Sequence, residues 1–427
     1  SYSCKGHFAS EHPSHGVEMW PSGKLRRGEE AVPTVDLVAA LEAPRSSWSD
    51  LGARAEELRP EVTLVPGQSF GWKQVSEEAW LGVLGTSAVL VAQRPDATHF
   101  QTLAGPPVSV KELRSYFGLE IPAPPLPALL TSWGARCARM ARIAKCLAGL
   151  RVLQQDPEET LFSFICSQNN NVSRICLLTD RLRARFGEVV CRLQPLPEDW
   201  KGEDNRLSHM REFGVRRSLH AWPRCAVLAK ATERSLKDLG LGYRAAYISQ
   251  AARRLMEEDG RMLQWLQSLR AESASPVDAS QPEEPEAVKE RRLAVRRELC
   301  ELPGIGAKVA DCVALFGLGI HGAVPVDVHV WRITVRDYEP ALREAKSLTP
   351  AVYEEVGDAF RRRFGAAFAG WAHSVLFGAE LAAEQLPADL REEMERFRAW
   401  EKQQKQEKKA AKKPAMQASK AAASQKK

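Results

Sequence analysis

"LPGIGAKVADCVALF", residues 302–316, reads as a glycine-bearing turn running directly into a helix. Val309, Cys312, Val313 and Phe316 recur at i, i+3, i+4 and i+7, the spacing of one buried helical face. Helical periodicity also precedes the turn, so residues 288–318 read as helix, turn, helix. Gly304 and Gly306 let backbone N–H groups face outward where the second helix starts, which suits a phosphate oxygen. Lys308 falls in the first turn, where the partial positive charge of unpaired N–H groups disfavours a cation. That placement, partly desolvated beside the apolar stripe, predicts a depressed pKa and a neutral, nucleophilic amine. A lysine that snorkels to solvent or touches phosphate fits the same residues.

Nineteen residues on, "AVPVDVHVW" (323–331) places Asp327 at the N-cap position of a further helix, "VHVWRITVRDY". As a cap alone it needs no other role. An amine and a carboxylate aimed from two helix starts into one space would suit attack at a sugar's anomeric carbon, with the carboxylate stabilising the cationic sugar.

The rest of the chain sorts by periodicity. "VTLV" (62–65), "AWLGVLGTSAVLVAQ" (79–93) and "HFQTLA" (99–104) are β-type runs split by turn residues, predicting an antiparallel sheet. Helical patterns take over after about 136. Asp156-Pro157-Glu158-Glu159 is an N-cap signal, Asn169–Asn171 break the helix that follows, and "VSRICLLTDRLRARFG" forms another ending at Gly187. The reading is an α+β chain: a leader over 1–47, a β-rich domain over 48–145, a mostly helical domain over 146–388 with a surface insertion at 271–287, and a disordered lysine-rich tail over 389–427.

Composition narrows the function classes. The net charge of +6 resides in the tail, where nine lysines face Glu401 and Glu407 from 401 onward, a run able to hold nucleic acid or to act as a nuclear import signal. No apolar run is long enough to span a bilayer, and residues 1–31 lack the apolar core of a secretory signal. The nine cysteines form no CxxC pair, which fits a reduced compartment without a disulfide framework. Cys4, His7, His12 and His15 could gather a metal, but their segment has no apolar pattern to build a site on.

"ELPGIGAKVADC" with "VPVDVHVW", together with "FICSQNNNVSR", "LGLGYRAAY", "PGQSFGW" and "GWAHSVLFGAEL", closely resembles the eukaryotic 8-oxoguanine DNA glycosylases of the helix-hairpin-helix superfamily, over roughly 60–385. The resemblance implies a β-rich domain followed by a helix-hairpin-helix glycosylase domain, acting as a monomer on damaged double-stranded DNA in the nucleus or another DNA-containing organelle, with no membrane partner and no metal or organic cofactor. It implies that Lys308 attacks C1′ and expels the base, that Asp327 stabilises the transition state, and that the resulting Schiff base allows β-elimination. Asn169 would fill the hole left by the flipped base, Arg174 and Arg244 would read the orphaned cytosine, and Tyr243 would wedge the stack. The Gly67 carbonyl would face N7 of the lesion, Cys312 and Phe377 would sandwich the base, and His329, Gly304 and Gly306 would contact phosphate. Two positions depart from the family: His373 stands where a glutamine usually reads the Watson–Crick edge, and Glu380 where aspartate is usual. No cysteine follows Cys312, unlike the iron–sulfur branches. A monofunctional alkylated-base glycosylase would keep Asp327 without needing Lys308; a non-catalytic DNA-binding module would need neither.

Overall fold

Strand alternation in the N-terminal part serves two cores at once. In the computed structural model, which describes residues 32–65, 67–194, 218–272, 284–345 and 347–424, a five-stranded antiparallel sheet has the order β2–β6–β5–β4–β3. Its strands are β2 (Ser49–Asp50), β3 (Lys73–Gln74), β4 (Ala79–Leu84), β5 (Ser87–Gln93) and β6 (Thr98–Ala104). Leu84 pairs with Ser87 across a two-residue turn in which Gly85 has φ +59°. Trp80, Val89, Val91 and Phe100 pack on one face with Leu113 and Phe117. Leu81, Ala88, Leu90 and Ala92 pack on the other against Val35, Val190 and Cys191. Those residues belong to a second sheet, in which β1 (Thr34–Val35) pairs parallel with β7 (Val189–Leu193), and β7 pairs antiparallel with β8 (Ser218–His220).

The helices follow in chain order: α1 (Leu37–Glu42), α2 (Pro60–Thr63), α3 (Val110–Tyr116), α4 (Leu126–Arg136), α5 (Ala138–Cys146), α6 (Pro157–Ser167) and α7 (Val172–Phe186). Next are α8 (Cys225–Lys230), α9 (Glu233–Lys237), α10 (Arg244–Met256), α11 (Arg261–Glu272) and α12 (Glu286–Cys300). The last are α13 (Ala307–Phe316), α14 (Val328–Asp337), α15 (Pro350–Phe364), α16 (Ala369–Leu381) and α17 (Ala388–Ser424). Their shared core includes Leu161, Ile165, Leu178, Ile248, Leu299, Val313 and Trp371.

Four features differ from the sequence reading. "VTLV" overlaps α2 and forms no strand, because Pro60 starts a helical turn there. α4 and α5 lie inside the span read as β-rich, yet Leu126, Leu130, Trp133, Met140 and Ile143 pack into the helical core. Residues 32–47 of the leader are ordered by the β1–β7 pairing and by α1, which Asp36 caps. The tail is helical from Ala388: Leu390 and Met394 are buried, and Arg332 pairs with Glu401 at 2.7 Å. Most of the insertion, residues 273–283, and the Cys4–His15 cluster lie outside the described residues. Among the described residues no helix is long and apolar enough to cross a membrane.

Candidate active site

The hairpin forms because its turn is closed from outside. Gly304 has φ +82°, and a Cβ there would come within 2.4 Å of the Tyr247 ring, so glycine alone fits. Gln168 Nε2 donates to the Gly304 carbonyl at 2.6 Å, joining the end of α6 to the hairpin. Gly306 takes the N-cap position of α13 without a side-chain cap, which leaves the first N–H groups of that helix without a capping partner. Val309, Cys312, Val313 and Phe316 are all buried, as their spacing predicts.

Asp327 caps α14: its Oδ1 accepts from His329 N at 2.8 Å and from Val330 N at 3.1 Å. Its Oδ2 faces Lys308 Nζ at 3.0 Å. The two helix starts thus meet as an ion pair. This overturns the expectation of a depressed Lys308 pKa. Burial lowers it, but Cys312 and then Asp327, through charge and a hydrogen bond, raise it further, above the ordinary lysine range. Burial pushes the Cys312 thiol up to about 12 and leaves it neutral at pH 7, so the Asp327 carboxylate is what holds the proton on Lys308 there. Burial raises the Asp327 carboxyl, but Lys308 and the backbone donors bring it below the usual carboxylate range.

The pair opens into a cavity of about 950 Å³. Gly67, Asn169, Gly304, Gly306, Cys312, His329, His373 and Phe377 line it with Lys308 and Asp327. His373 stacks on Phe377, with centroids 5.7 Å apart and planes at 15°, and His329 meets the same ring edge-on. Neither His373 ring nitrogen has a hydrogen-bond partner; the carbonyls of Gly370 and Pro325 come near enough only to favour its charged form weakly. Burial lowers the His373 pKa to about 4, so the imidazole is neutral at pH 7. Gly67 has φ +74° and packs beside Val172 and Leu381.

Asn169, Tyr243, Arg174 and Arg244 gather at the cavity's rim. Asn169, at φ +49°, donates from Nδ2 to the Tyr243 hydroxyl at 3.2 Å. Arg174 donates to the Gly240 carbonyl at 3.1 Å, and Arg244 Nε to the Gln168 carbonyl at 2.9 Å beneath the Tyr243 ring. Asn171 caps α7 by accepting from Arg174 N.

Over 345 residues the chain is 34% identical to the N-glycosylase/DNA lyase OGG1 of Arabidopsis thaliana, covering 79% of this chain and 81% of that protein. A family model described as 8-oxoguanine DNA glycosylase, N-terminal domain, matches residues 50–161. Another, described as HhH-GPD superfamily base excision DNA repair protein, matches residues 162–356. This chain belongs to the 8-oxoguanine DNA glycosylase family.

An N-glycosylase/DNA lyase of Saccharomyces cerevisiae is 35% identical over 254 residues, 55% of this chain and 57% of its own length. The fold is shared with a Clostridium acetobutylicum 8-oxoguanine glycosylase/lyase solved with double-stranded DNA containing cytosine opposite 8-oxoG, at TM-score 0.56 and 20% identity over 77% of this chain and 93% of that one. It is shared as well with a 3-methyladenine DNA glycosylase of Archaeoglobus fulgidus, at TM-score 0.51 and 19% identity over 78% and 98%. Fold alone therefore does not choose among lesions.

Of the two departures from the family pattern, only His373 is in the cavity. Glu380 ion-pairs with Arg336 at 2.8 Å and with Arg398 at 3.1 Å, tying α16 to α14 and α17. The sequence reading missed Gln168, whose side chain holds the hairpin and whose carbonyl holds Arg244. Its position directly before the three asparagines was the available signal. It also missed Tyr353, which lines the cavity from α15 and gives no signal in its local sequence.

Proposed function

We propose that this protein flips 8-oxoguanine out of duplex DNA, excises it opposite cytosine through a Schiff base on Lys308, and then cleaves the abasic site by β-elimination. The observation that carries the reading is the 3.0 Å approach of Lys308 Nζ to Asp327 Oδ2 at the wall of a cavity large enough for a base. C1′ is shielded in the duplex, so the nucleotide must leave the stack first. Asn169 and Tyr243 at the rim would occupy the gap, and Arg174 and Arg244 would meet the unpaired cytosine. Cys312 and Phe377 then flank the base, His373 and the Gly67 carbonyl face its polar edges, and Gly304, Gly306 and His329 meet phosphate.

In the free protein Lys308 is an ammonium. It sheds one proton as the N–C1′ bond forms, and the departing base, carrying off the C1′–N9 electron pair, takes one up, so charge balances. Asp327 has Oδ1 committed to two backbone N–H groups, which leaves Oδ2 to stabilise the cationic sugar. The protein acts as a monomer, in the nucleus or another DNA-containing organelle.

An alkylated-base glycosylase would use Asp327 but leaves Lys308 unexplained. The test is excision from duplexes carrying 8-oxoguanine opposite each of the four bases. The expected product opposite cytosine is a cleaved strand; release of the base with an intact abasic strand indicates the monofunctional reading, and no release indicates a binding module.

A further inference from the structure

One phenolic oxygen joins the two helix starts from behind. Tyr353, on α15, accepts a hydrogen bond from Val326 N–H at 3.2 Å, directly beside Asp327. A backbone N–H can only donate, so the tyrosine's own O–H is free to go elsewhere, and it reaches Asp311 Oδ2 at 2.7 Å. Asp311 lies on α13 three residues after Lys308, is fully buried, and accepts Arg296 Nε at 2.8 Å on its other oxygen. Arg296 also sits over the Tyr353 ring at 5.2 Å. Pro325 has no N–H, and the Val326 N–H that follows it donates to Tyr353 directly before Asp327.

We infer that Tyr353 is a positioning residue: its hydroxyl sets the separation of Lys308 and Asp327 by bridging Asp311 on the lysine's helix to Val326 beside the aspartate. The chain of contacts runs α13–Asp311–Tyr353–Val326–Asp327 and closes through the Lys308–Asp327 ion pair. Burial and the neighbouring Asp311 both keep the phenol protonated, consistent with its role as donor. Without the hydroxyl the loop carrying Asp327 loses its tie to α13, and the pair loosens although every group of the pair is still present.

The inference rests on the excision chemistry above, and the wild-type protein tests that first: without Lys308-dependent excision the functional reading fails, whatever Tyr353 does. Tyr353→Phe keeps the ring and its contact with Arg296 and removes only the bridge. Expected under single turnover is a fall in the excision rate of about tenfold or more, since sub-ångström misplacement of reacting groups is costly. Affinity for a duplex with an uncleavable abasic analogue should stay within about twofold, because binding and chemistry separate in such measurements. The pH–rate inflection should move to lower pH as Asp327 releases its hold on the Lys308 proton, which a purely structural role would not cause.

Asp311→Asn is the second variant. It keeps an oxygen to accept the Tyr353 hydroxyl while losing the charge that pairs with Arg296, so its melting temperature should fall and its excision rate should stay within about threefold of wild type. Rate losses in both variants that merely track their losses in melting temperature would overturn the inference. So would an unchanged rate and inflection in folded Tyr353→Phe.

Discussion

Two buried histidines, His373 on α16 and His321 packed against the start of that helix, show how differently the cavity and its support are built. His321 and His373 are both nearly inaccessible, and burial lowers both to about 4. Each stacks on a phenylalanine at almost the same spacing, Phe368 at 5.7 Å and Phe377 at 5.7 Å. His321 accepts a hydrogen bond from Trp371 Nε1 at the edge of the indole, and the face of that indole carries Arg151, whose guanidinium is spent on the carbonyls of Phe117 and Gly118 and on Glu57. His373 has no hydrogen-bond partner. Burial and a shifted pKa therefore do not distinguish the two; what does is that the His373 ring lines the cavity with its nitrogens unpaired by any side chain, whereas His321 is paired inside the core. Lys308 repeats the contrast at a helix start that disfavours it, while Arg151 is fully matched in the core.

Breaking the support should cost stability without touching chemistry. Arg151→Met leaves the buried carbonyls of Phe117 and Gly118 without their donor, and denaturant titration should show a loss of about 2–4 kcal/mol, the order for buried groups left unpaired. The protein that remains folded should excise normally. Breaking the cavity wall should do the reverse. Asp327→Asn retains a capping side chain, so stability should change by under about 1 kcal/mol, while single-turnover excision falls by about 10²–10³-fold, the scale for losing one transition-state electrostatic partner.

Acidification reads both regions together. A histidine whose folded pKa lies below its unfolded value of 6.5 takes up its proton more readily when unfolded, so stability is lost as pH falls from 6.5 toward 4. Between pH 7 and pH 5 each histidine should account for about 2 kcal/mol of that loss. His321→Gln and His373→Gln should each remove one such share in pH-dependent melting. Only His373→Gln should change the relative excision of different damaged purines. The Lys308–Asp327 pair behaves differently: the raised lysine contributes stability lost only as pH climbs through its folded pKa, and the lowered aspartate contributes stability lost only as pH falls through its own. Near neutral pH that pair is constant, so its variants do not obscure the histidine shares.

The parts legible in the sequence are those in which local chemistry decides structure. Asp156 and Asp327 cap the helices their positions predict, the three asparagines break the chain between α6 and α7, and the hairpin stripe packs as its spacing requires. Long-range pairing was not legible. β1 finds β7 across more than 150 residues, α4 and α5 pack with the helices that follow instead of the sheet that precedes them, and α17 owes its docking to Leu390, Met394 and partners on α14 and α16. The proton on Lys308 was misjudged for the same reason. Helix dipole and burial are local and argue for a neutral amine, whereas the carboxylate 3.0 Å away belongs to another helix. Tyr353 speaks only through Asp311 and Val326, one on either side of the turn between α13 and α14.

The most direct test of the account is borohydride trapping on a duplex carrying 8-oxoguanine opposite cytosine, with wild-type protein and Lys308→Gln in parallel. Wild-type protein should give a covalent protein–DNA adduct and the variant none, although the variant still folds and binds the duplex. An adduct that persists in Lys308→Gln, or none with wild-type protein that binds the duplex, would contradict the assignment of Lys308 as the nucleophile.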